Sequence, residues 1–161
     1  MPIATDWGEF AVEYSERGLA ALSFPRAGEV PAPSAETGVV EVEIRRWHTL
    51  TIKAVKAVLA GRLPAQLPPL DLTGGTPFQQ SVWRALQAIP LGQTRSYGEI
   101  AAALDRPQAA RAVGTACGAN PIPLLIPCHR VLATGGGLGG FTAGLEWKRR
   151  LLKAEAGEGK C

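Results

Sequence analysis

Two reactive side chains stand side by side late in the chain, in the run Asn120–Val131, where Cys128 follows Pro127 and precedes His129. A thiolate is a strong nucleophile, and an imidazole that accepts its proton, directly or through water, is the usual activator. Neighbouring side chains of an extended strand point to opposite faces, so the pair can cooperate only if the backbone turns there, as Pro127 allows. A Cys-His dipeptide also arises by chance, so a third group is needed.

The C-terminal segment GLEWKRRLLKAE offers a candidate for that third group. Its pattern predicts a helix with Leu145, Leu152 and Glu155 on one face and Leu151 beside it. A carboxylate that faces a core is costly unless it is hydrogen-bonded, and orienting a histidine is one way to satisfy it. A solvated Glu155 at a frayed helix end explains the same pattern, and the residues alone leave both interpretations open.

Charge and cysteine content narrow the class of protein. The formal charge of +3 and the pI near 9.0 mildly favour a polyanionic partner. Three cysteines, Cys117, Cys128 and Cys161, are an odd number, which indicates a reducing compartment rather than a disulfide framework. With only His48 and His129 available, a Cys/His zinc site lacks ligands, so we predict no metal and no cofactor.

The first part of the chain predicts a small α/β unit. A hairpin is expected over Glu9–Phe24 and a further strand over Val39–Ile44, followed by a helix from about Trp47 that stops at Gly61. The proline- and glycine-rich segment LPAQLPPLDLTGGTP then reads as a boundary with at most one short strand, Leu70–Leu72. We therefore expect an α/β N-terminal domain over residues 1–73, with a small antiparallel sheet and a helix, and a mainly α C-terminal domain over residues 74–161.

The C-terminal part carries sharper signals for helices. Thr76, Pro77 and Gln79 form a capping box with proline at the first helical position, and Phe78, Val82, Leu86 and Ile89 make one apolar face. A second capping box, Ser96 to Glu99, opens a helix whose Ile100 and Leu104 are buried, and after a three-residue turn Pro107 starts another. Two short helices joined in this way predict a helix-turn-helix.

The second helix of this pair has two sets of small side chains. Ala109, Ala112, Val113 and Ala116 can face the core, while Ala110, Gly114 and Gly118 form a bare stripe beside Arg111. A nearly bare face suits a narrow groove of DNA better than the wide major groove, where long polar side chains read the bases. Close packing between two helices explains the same stripe, so both interpretations stay open.

At this point the sequence resembles a known family, the O6-alkylguanine-DNA alkyltransferases. PCHRV at Pro127–Val131 matches the active-site motif of that family residue for residue, and the match runs from TPFQQSVWRAL through SYGEIA, AARAVGTACGANP and LIPCHRV to WKRRLLKAE. The resemblance implies a single, irreversible transfer of an alkyl group, such as methyl, from O6-alkylguanine, and from O4-alkylthymine, in DNA to the protein's own Cys128.

The resemblance also implies roles for individual residues. Cys128 is the expected alkyl acceptor, His129 the water-mediated base and Glu155 the group that orients His129. Asn120 holds the turn before the active-site loop, and Tyr97 rotates the nucleotide outward and offers a proton to the leaving guanine. The residues expected to contact DNA or the base are Arg111, which replaces the extruded base, Tyr97, Ser96, Ala110, Gly114, Thr115, Val131 and Thr142.

Some features depart from the pattern of the family. Thr142 and Ala143 stand where many relatives have smaller residues, so the resemblance does not determine the width of the base pocket. The N-terminal zinc site of some relatives lacks its ligands here. The additional phosphotriester-repair module of the adaptive-response proteins is absent from this sequence.

The partner implied by this resemblance is double-stranded DNA, bound in the minor groove without sequence preference because a lesion occurs in any context. We expect a cytoplasmic monomer without membrane contact, since no apolar run approaches a membrane span. Three other classes compete: an alkyltransferase-like protein that only binds lesions, which Cys128 argues against, a thiol hydrolase with turnover, and a sequence-specific helix-turn-helix regulator.

Overall fold

The computed structural model describes residues 1–26, 41–133 and 135–157. Its N-terminal part is an antiparallel sheet of β1 (Pro2–Thr5), β2 (Gly8–Ser15) and β3 (Gly18–Ser23), which pair in chain order. Strands β2 and β3 confirm the predicted hairpin. Strand β1, which pairs Ile3 with Phe10, was not predicted.

Helix α1 (Glu41–Leu59) covers the sheet. Its buried residues Ala54, Val55, Val58 and Leu59 share one core with apolar side chains of all three strands. The strand predicted over Val39–Ile44 is wrong in its described part, because residues 41–44 form the first turn of α1. The alternation of Val and Glu is strand-like, but two glutamates at a helix N-terminus interact favourably with the helix dipole. Val39 and Val40 lie outside the described residues.

The segment after α1 returns to the sheet edge. Gly61 ends the helix with a positive φ of 70°. Further on, Leu19 donates its amide to Pro69 O (2.8 Å) and accepts from the amide of Asp71 (2.8 Å), which makes one parallel bridge between Leu19 and Leu70. The short strand predicted at Leu70–Leu72 is therefore a single bridge, and the division near residue 73 stays a prediction.

The C-terminal part is mainly helical. Its elements are α2 (Pro77–Gln87), β4 (Arg95–Ser96), α3 (Tyr97–Ala103), α4 (Ala110–Gly118), a 3₁₀ turn (Cys128–Arg130), β5 (Val131–Leu132) and α5 (Leu145–Glu155). Both capping boxes are confirmed, with Thr76 and Ser96 as the N-caps of α2 and α3. The indole of Trp83 on α2 donates to Ala116 O on α4 (2.8 Å), which fixes the position of α4.

Helices α3 and α4 form the helix-turn-helix with a longer turn than expected. The prediction that Pro107 starts the second helix is wrong, because α4 begins at Ala110. Pro107 instead lies inside a turn closed by the amide of Ala109 on Arg106 O (2.9 Å), a position that suits its fixed φ. The placement of Ala112 in the core is also wrong, since Ala112 is exposed.

None of the helices within the described residues is long and apolar enough to span a membrane.

Gly61 provides a test of how α1 and α5 pack. A Cβ at this position would lie 2.1 Å from Ala154 O, and the backbone has a φ of 70°. We expect Gly61→Ala to lower the free energy of unfolding by at least about 1–3 kcal/mol, measured by urea denaturation. Gly74→Ala is the matched control, because a Cβ at this position would have no heavy atom within 4 Å other than those of Gly74 and its two chain neighbours, and it should cost less than about 0.5 kcal/mol. Equal effects of the two substitutions would contradict this packing.

Candidate active site

Cys128 lies in the 3₁₀ turn, and a short parallel strand pair sets its position relative to Tyr97. Strand β4 ends at Ser96, directly before Tyr97, and β5 begins at Val131, directly after the turn. The register pairs Arg95 with Val131 and Ser96 with Leu132. The start of α3 and the turn with Cys128 are thereby held beside each other, and the backbone turn that cooperation between Cys128 and His129 requires is present.

Asn120 holds the chain between α4 and this turn. Its side-chain amide donates to Ile126 O (2.9 Å), and its carbonyl oxygen accepts from the amide of Ile122 (3.0 Å). Burial raises the pKa of the Cys128 thiol, and a hydrogen bond from Asn120 partly offsets this. Asn120 is thus well placed both to shape the turn and to stabilise a thiolate.

Behind Cys128, the carboxylate of Glu155 binds two neighbours of the cysteine. His129 Nε2 lies 2.7 Å from Glu155 Oε1, and Arg130 reaches the two carboxylate oxygens from Nε (2.9 Å to Oε2) and Nη2 (2.9 Å to Oε1). Arg130 Nη1 also donates to Ile89 O (2.7 Å). The side chain of Glu155 is 2% exposed, so the inward orientation is what the structure shows, and a solvated Glu155 is excluded.

The charges and hydrogen bonds in this cluster determine which ring nitrogen of His129 carries the proton. Burial alone would raise the pKa of Glu155, but hydrogen bonds from His129 and Arg130, together with their charges, lower it to about 2. Burial lowers the pKa of His129, although Glu155 opposes this. A carboxylate only accepts hydrogen bonds, so Nε2 carries the proton and Nδ1 presents a lone pair. Nδ1 makes no hydrogen bond within the described part of the chain, so it is available to accept a proton.

A cavity of about 990 Å³ lies in front of Cys128. Its walls come from the N-terminal segment 22–26, from the helix-turn-helix and from the loop before α5. The predicted site residues that line it are Tyr97, Ala110, Arg111, Gly114, Thr115, Asn120, Cys128 and Thr142. The structure therefore brings most of the predicted residues together around one cavity.

Helix α4 presents small residues to this cavity, and two of them, Gly114 and Gly118, face Tyr97 and Thr142 at a distance where a Cβ would make ordinary van der Waals contact. A Cβ on Gly114 would lie 3.8 Å from the ring of Tyr97, and one on Gly118 would lie 3.9 Å from Thr142 Oγ1. Thr142 Oγ1 donates to Gly118 O (3.2 Å), which ties the loop to the helix. Arg111 is exposed at the rim.

Four predicted residues do not line the cavity. His129 and Glu155 lie behind Cys128, while Ser96 caps α3 and Val131 is buried in β5. The placement of Leu145 on the inner face of α5 is wrong, since Leu145 is 38% exposed. The inner position belongs to Lys148, one turn later.

Sequence reasoning missed several residues of the site. Arg130 belongs to the PCHRV motif, and Lys148 is seven residues before Glu155 and hence on the same helical face, so both had a signal in the sequence. The N-terminal wall had none. It includes Phe24, whose ring lies 5.7 Å from that of Phe141 in the loop and 4.9 Å from that of Trp147 on α5.

Comparison with known proteins places these features in a family. The family model described as "6-O-methylguanine DNA methyltransferase, DNA binding domain" matches residues 77–157, which include the helix-turn-helix, the 3₁₀ turn and α5. The chain belongs to this family. The match confirms the family that the PCHRV motif indicated.

Individual relatives support the assignment over different lengths. The methylated-DNA–protein-cysteine methyltransferase of Salmonella typhimurium is 58% identical over 83 residues, covering 52% of this chain and 48% of that protein, so the match spans about half of its length. The protein of the same name from Methanosarcina barkeri is 38% identical over 92% of this chain and 90% of its own. The crystal structure of Mycobacterium tuberculosis OGT in complex with DNA superposes with a TM-score of 0.77 and 38% identity, covering 97% and 91% of the two chains.

The buried ion pair gives a prediction about stability. Glu155→Gln leaves the buried Arg130 without its counter-ion, so we expect a loss of about 3–5 kcal/mol in the free energy of unfolding, measured by urea denaturation at pH 7. Glu146→Gln on the same helix is the matched control, because Glu146 is exposed and pairs with an exposed Arg149, and it should cost less than about 1 kcal/mol. A similar small loss for both variants would show that Glu155 does not hold the turn.

Proposed function

We propose that the protein repairs alkylated DNA by transferring the alkyl group of O6-alkylguanine, and of O4-alkylthymine, to the sulfur of Cys128, once per molecule. The observation that carries this proposal is the position of Cys128 between two features. A cavity bordered by α4 lies in front of it, and the buried pair of His129 and Glu155 lies behind it. The relatives named methylated-DNA–protein-cysteine methyltransferase support the same reaction.

The reaction begins with loss of the thiol proton. The lone pair on His129 Nδ1 receives this proton, with water as the carrier, while the carboxylate of Glu155 stabilises the imidazolium that forms. Asn120 lowers the pKa of Cys128 against the effect of burial. The resulting thiolate is the nucleophile.

In the transfer step the thiolate sulfur attacks the alkyl carbon, the new carbon–sulfur bond forms, and the bond from that carbon to O6 breaks. The electron pair of the broken bond stays on the guanine, which takes a proton from the hydroxyl of Tyr97. The proton that His129 received from Cys128 then passes through water to the tyrosinate, so that His129 and Tyr97 both return to their neutral forms. Burial raises the pKa of Tyr97, so the hydroxyl stays protonated until the alkyl–O6 bond breaks and the guanine takes the proton. The thioether has no ionisable proton. The Cys128 thiolate is a poor leaving group from the carbon–sulfur bond, so the protein is not regenerated.

A base inside a duplex cannot reach Cys128, so the target nucleotide must leave the stack. The exposed Arg111 stands at the rim of the cavity, on the helix whose small residues let DNA approach closely. We propose that α4 docks in the minor groove and that Arg111 fills the space of the extruded base. Contacts to phosphates and groove shape, rather than to base edges, then suit repair in any sequence context.

The central test is intact mass spectrometry after mixing the protein with a duplex oligonucleotide that contains O6-methylguanine. We expect a gain of one methylene unit per protein, located on Cys128 by peptide mapping, and no gain in Cys128→Ser. Cys117→Ser is the matched control, since Cys117 also lines the cavity, and this variant should accept the methyl group. Repeated turnover without modification would favour a thiol hydrolase, and transfer to Cys117 would overturn the assignment of the acceptor.

Arg111 gives a second test, which separates base extrusion from chemistry. Arg111→Ala should slow repair of duplex DNA by about tenfold or more, because unstacking a base costs a few kcal/mol, while the reaction with free O6-benzylguanine changes little. Single-turnover rates on both substrates measure the difference. Arg84→Ala removes an exposed charge from α2, away from the cavity, and should leave both rates near wild type. Equal losses of Arg111→Ala on the two substrates would remove the proposed role.

A further inference from the structure

The cavity in front of Cys128 is lined by two chemically different sets of side chains. The polar set carries hydroxyl and amide groups and consists of Tyr97, Thr115, Asn120 and Thr142. The apolar set consists of Leu22, Phe24, Pro25 and Phe141, and the mechanism above does not use it. A buried base edge needs polar partners for its donors and acceptors, whereas an alkyl group needs none. The apolar set therefore suits the alkyl group of a lesion better than the base edge.

The apolar side chains meet in one place. The ring centroids of Phe24 and Phe141 lie 5.7 Å apart, and their planes are inclined at 82°. Leu22 and Pro25 belong to the same segment as Phe24. Two rings at nearly a right angle form a corner, in which a third ring can stack on one of them and meet the other edge to face.

The segment that carries Phe24 is fixed at both ends of the contact. The amide of Leu22 donates to Pro121 O (2.9 Å), which directly follows Asn120. The ring of Phe24 also packs against Trp147 of α5, with 4.9 Å between the ring centroids. A wall that is already in place needs little ordering when a ligand binds, so more of the contact energy is available for binding.

We propose that the N-terminal wall, residues 22–26, selects the alkyl group, and that Phe24 is a specificity-determining residue for aryl-alkyl lesions such as O6-benzylguanine. This proposal rests on the proposed transfer to Cys128. A methyl group ends at the carbon that the sulfur attacks. A benzyl group carries a ring on that carbon, and this ring fits the corner between Phe24 and Phe141. The part of the chain before the family match then takes part in the choice of substrate.

The test uses Phe24→Leu and two duplex oligonucleotides of one sequence, which contain either O6-methylguanine or O6-benzylguanine. Single-turnover rates give the ratio of benzyl to methyl transfer for each protein. We expect this ratio to fall by about three- to tenfold in Phe24→Leu, because one aromatic contact with the benzyl ring is lost. The rate of methyl transfer should stay near wild type.

Phe10→Leu is the matched control for effects of packing. Phe10 has no exposed surface, its ring centroid lies 5.5 Å from that of Phe24, and it is not among the described residues that line the cavity. The same substitution in the same aromatic cluster should lower the stability of the protein and leave the ratio at its wild-type value.

An unchanged ratio in folded Phe24→Leu would overturn the proposal, as would an equal fall in Phe10→Leu. A wild type that reacts with O6-methylguanine and not with O6-benzylguanine would overturn it as well. If Phe24→Leu does not fold, Phe24→Tyr and Phe24→Met replace it. The aromatic variant should then keep the ratio and the aliphatic one should lose it, and equal ratios would again overturn the proposal.

A second readout separates this proposal from the transfer reaction. Iodoacetamide and N-benzyliodoacetamide share one reacting carbon, need no DNA and differ by a benzyl group, and peptide mapping separates modification of Cys128 from that of Cys117. A wild type that takes no alkyl group from either lesion, with a lower ratio of the two reagents in Phe24→Leu, would refute the proposed substrate and not the role of the wall. Where wild type does transfer the alkyl group, the lesion ratio decides, and normal transfer with an unchanged ratio would refute the wall alone.

Discussion

The site depends on the interactions that the buried carboxylate of Glu155 makes with its neighbours. It binds His129 and Arg130, which directly follow the cysteine, and Arg130 in turn reaches Ile89 O just beyond the C-terminal end of α2. The ion pair of Glu155 and Arg130 thus joins α5 to the 3₁₀ turn, and the hydrogen bond from Arg130 to Ile89 O joins the turn to the segment that follows α2. A buried ion pair contributes little net stability compared with apolar packing, but breaking it is costly, so its main effect here is to impose one arrangement.

The carboxylate of Glu155 also determines which nitrogen of His129 can accept a proton. Because it accepts the proton of His129 Nε2, it leaves Nδ1 as a lone pair inside the protein. Burial keeps His129 neutral and raises the pKa of Cys128, so neither group is ionised without help from its surroundings. At the thiol, a hydrogen bond from the side chain of Asn120 acts against the effect of burial on the pKa. The ionisation of His129 and Cys128 therefore depends on two opposing effects: burial disfavours the charged forms, and a few polar groups in contact with the site favour them.

The N-terminal part of the chain takes part in this arrangement through aromatic contacts. Phe24, directly after β3, lies against Phe141 of the loop before α5 and Trp147 of α5. The guanidinium of Arg150 lies 3.8 Å from the ring centroid of Trp7, which in turn contacts Trp147. A wall of the cavity is thereby attached to the sheet. The family model begins at residue 77, so this wall belongs to a part of the chain that the family match does not cover.

Much of the C-terminal part follows from local sequence. The capping boxes at Thr76 and Ser96 fix where α2 and α3 begin, because each satisfies amides that no helix can satisfy internally. The PCHRV motif indicated the family, and the resemblance predicted the roles of Cys128, His129 and Glu155, whereas the helical spacing of Glu155 alone left a solvated position open. Local sequence predicted the structure less well where one sequence pattern is compatible with two kinds of secondary structure. Residues 41–44 alternate like a strand and fold as helix, and Pro107 fits a turn as well as a helix start.

Tertiary structure alone decided which side chains meet. Whether Glu155 is solvated or buried depends on Arg130, twenty-five positions earlier, and no local pattern of α5 contains that information. Lys148 rather than Leu145 faces inward, and its ammonium lies beside Gly140 O of the loop and the ring of Tyr97, which come from other parts of the chain. The cavity wall at Phe24 arises from packing between segments more than a hundred residues apart. The sequence by itself determined the starts of α2 and α3 and the adjacency of Cys128 and His129, since these depend on neighbours along the chain. The surroundings of Cys128 and His129 depend on neighbours in space.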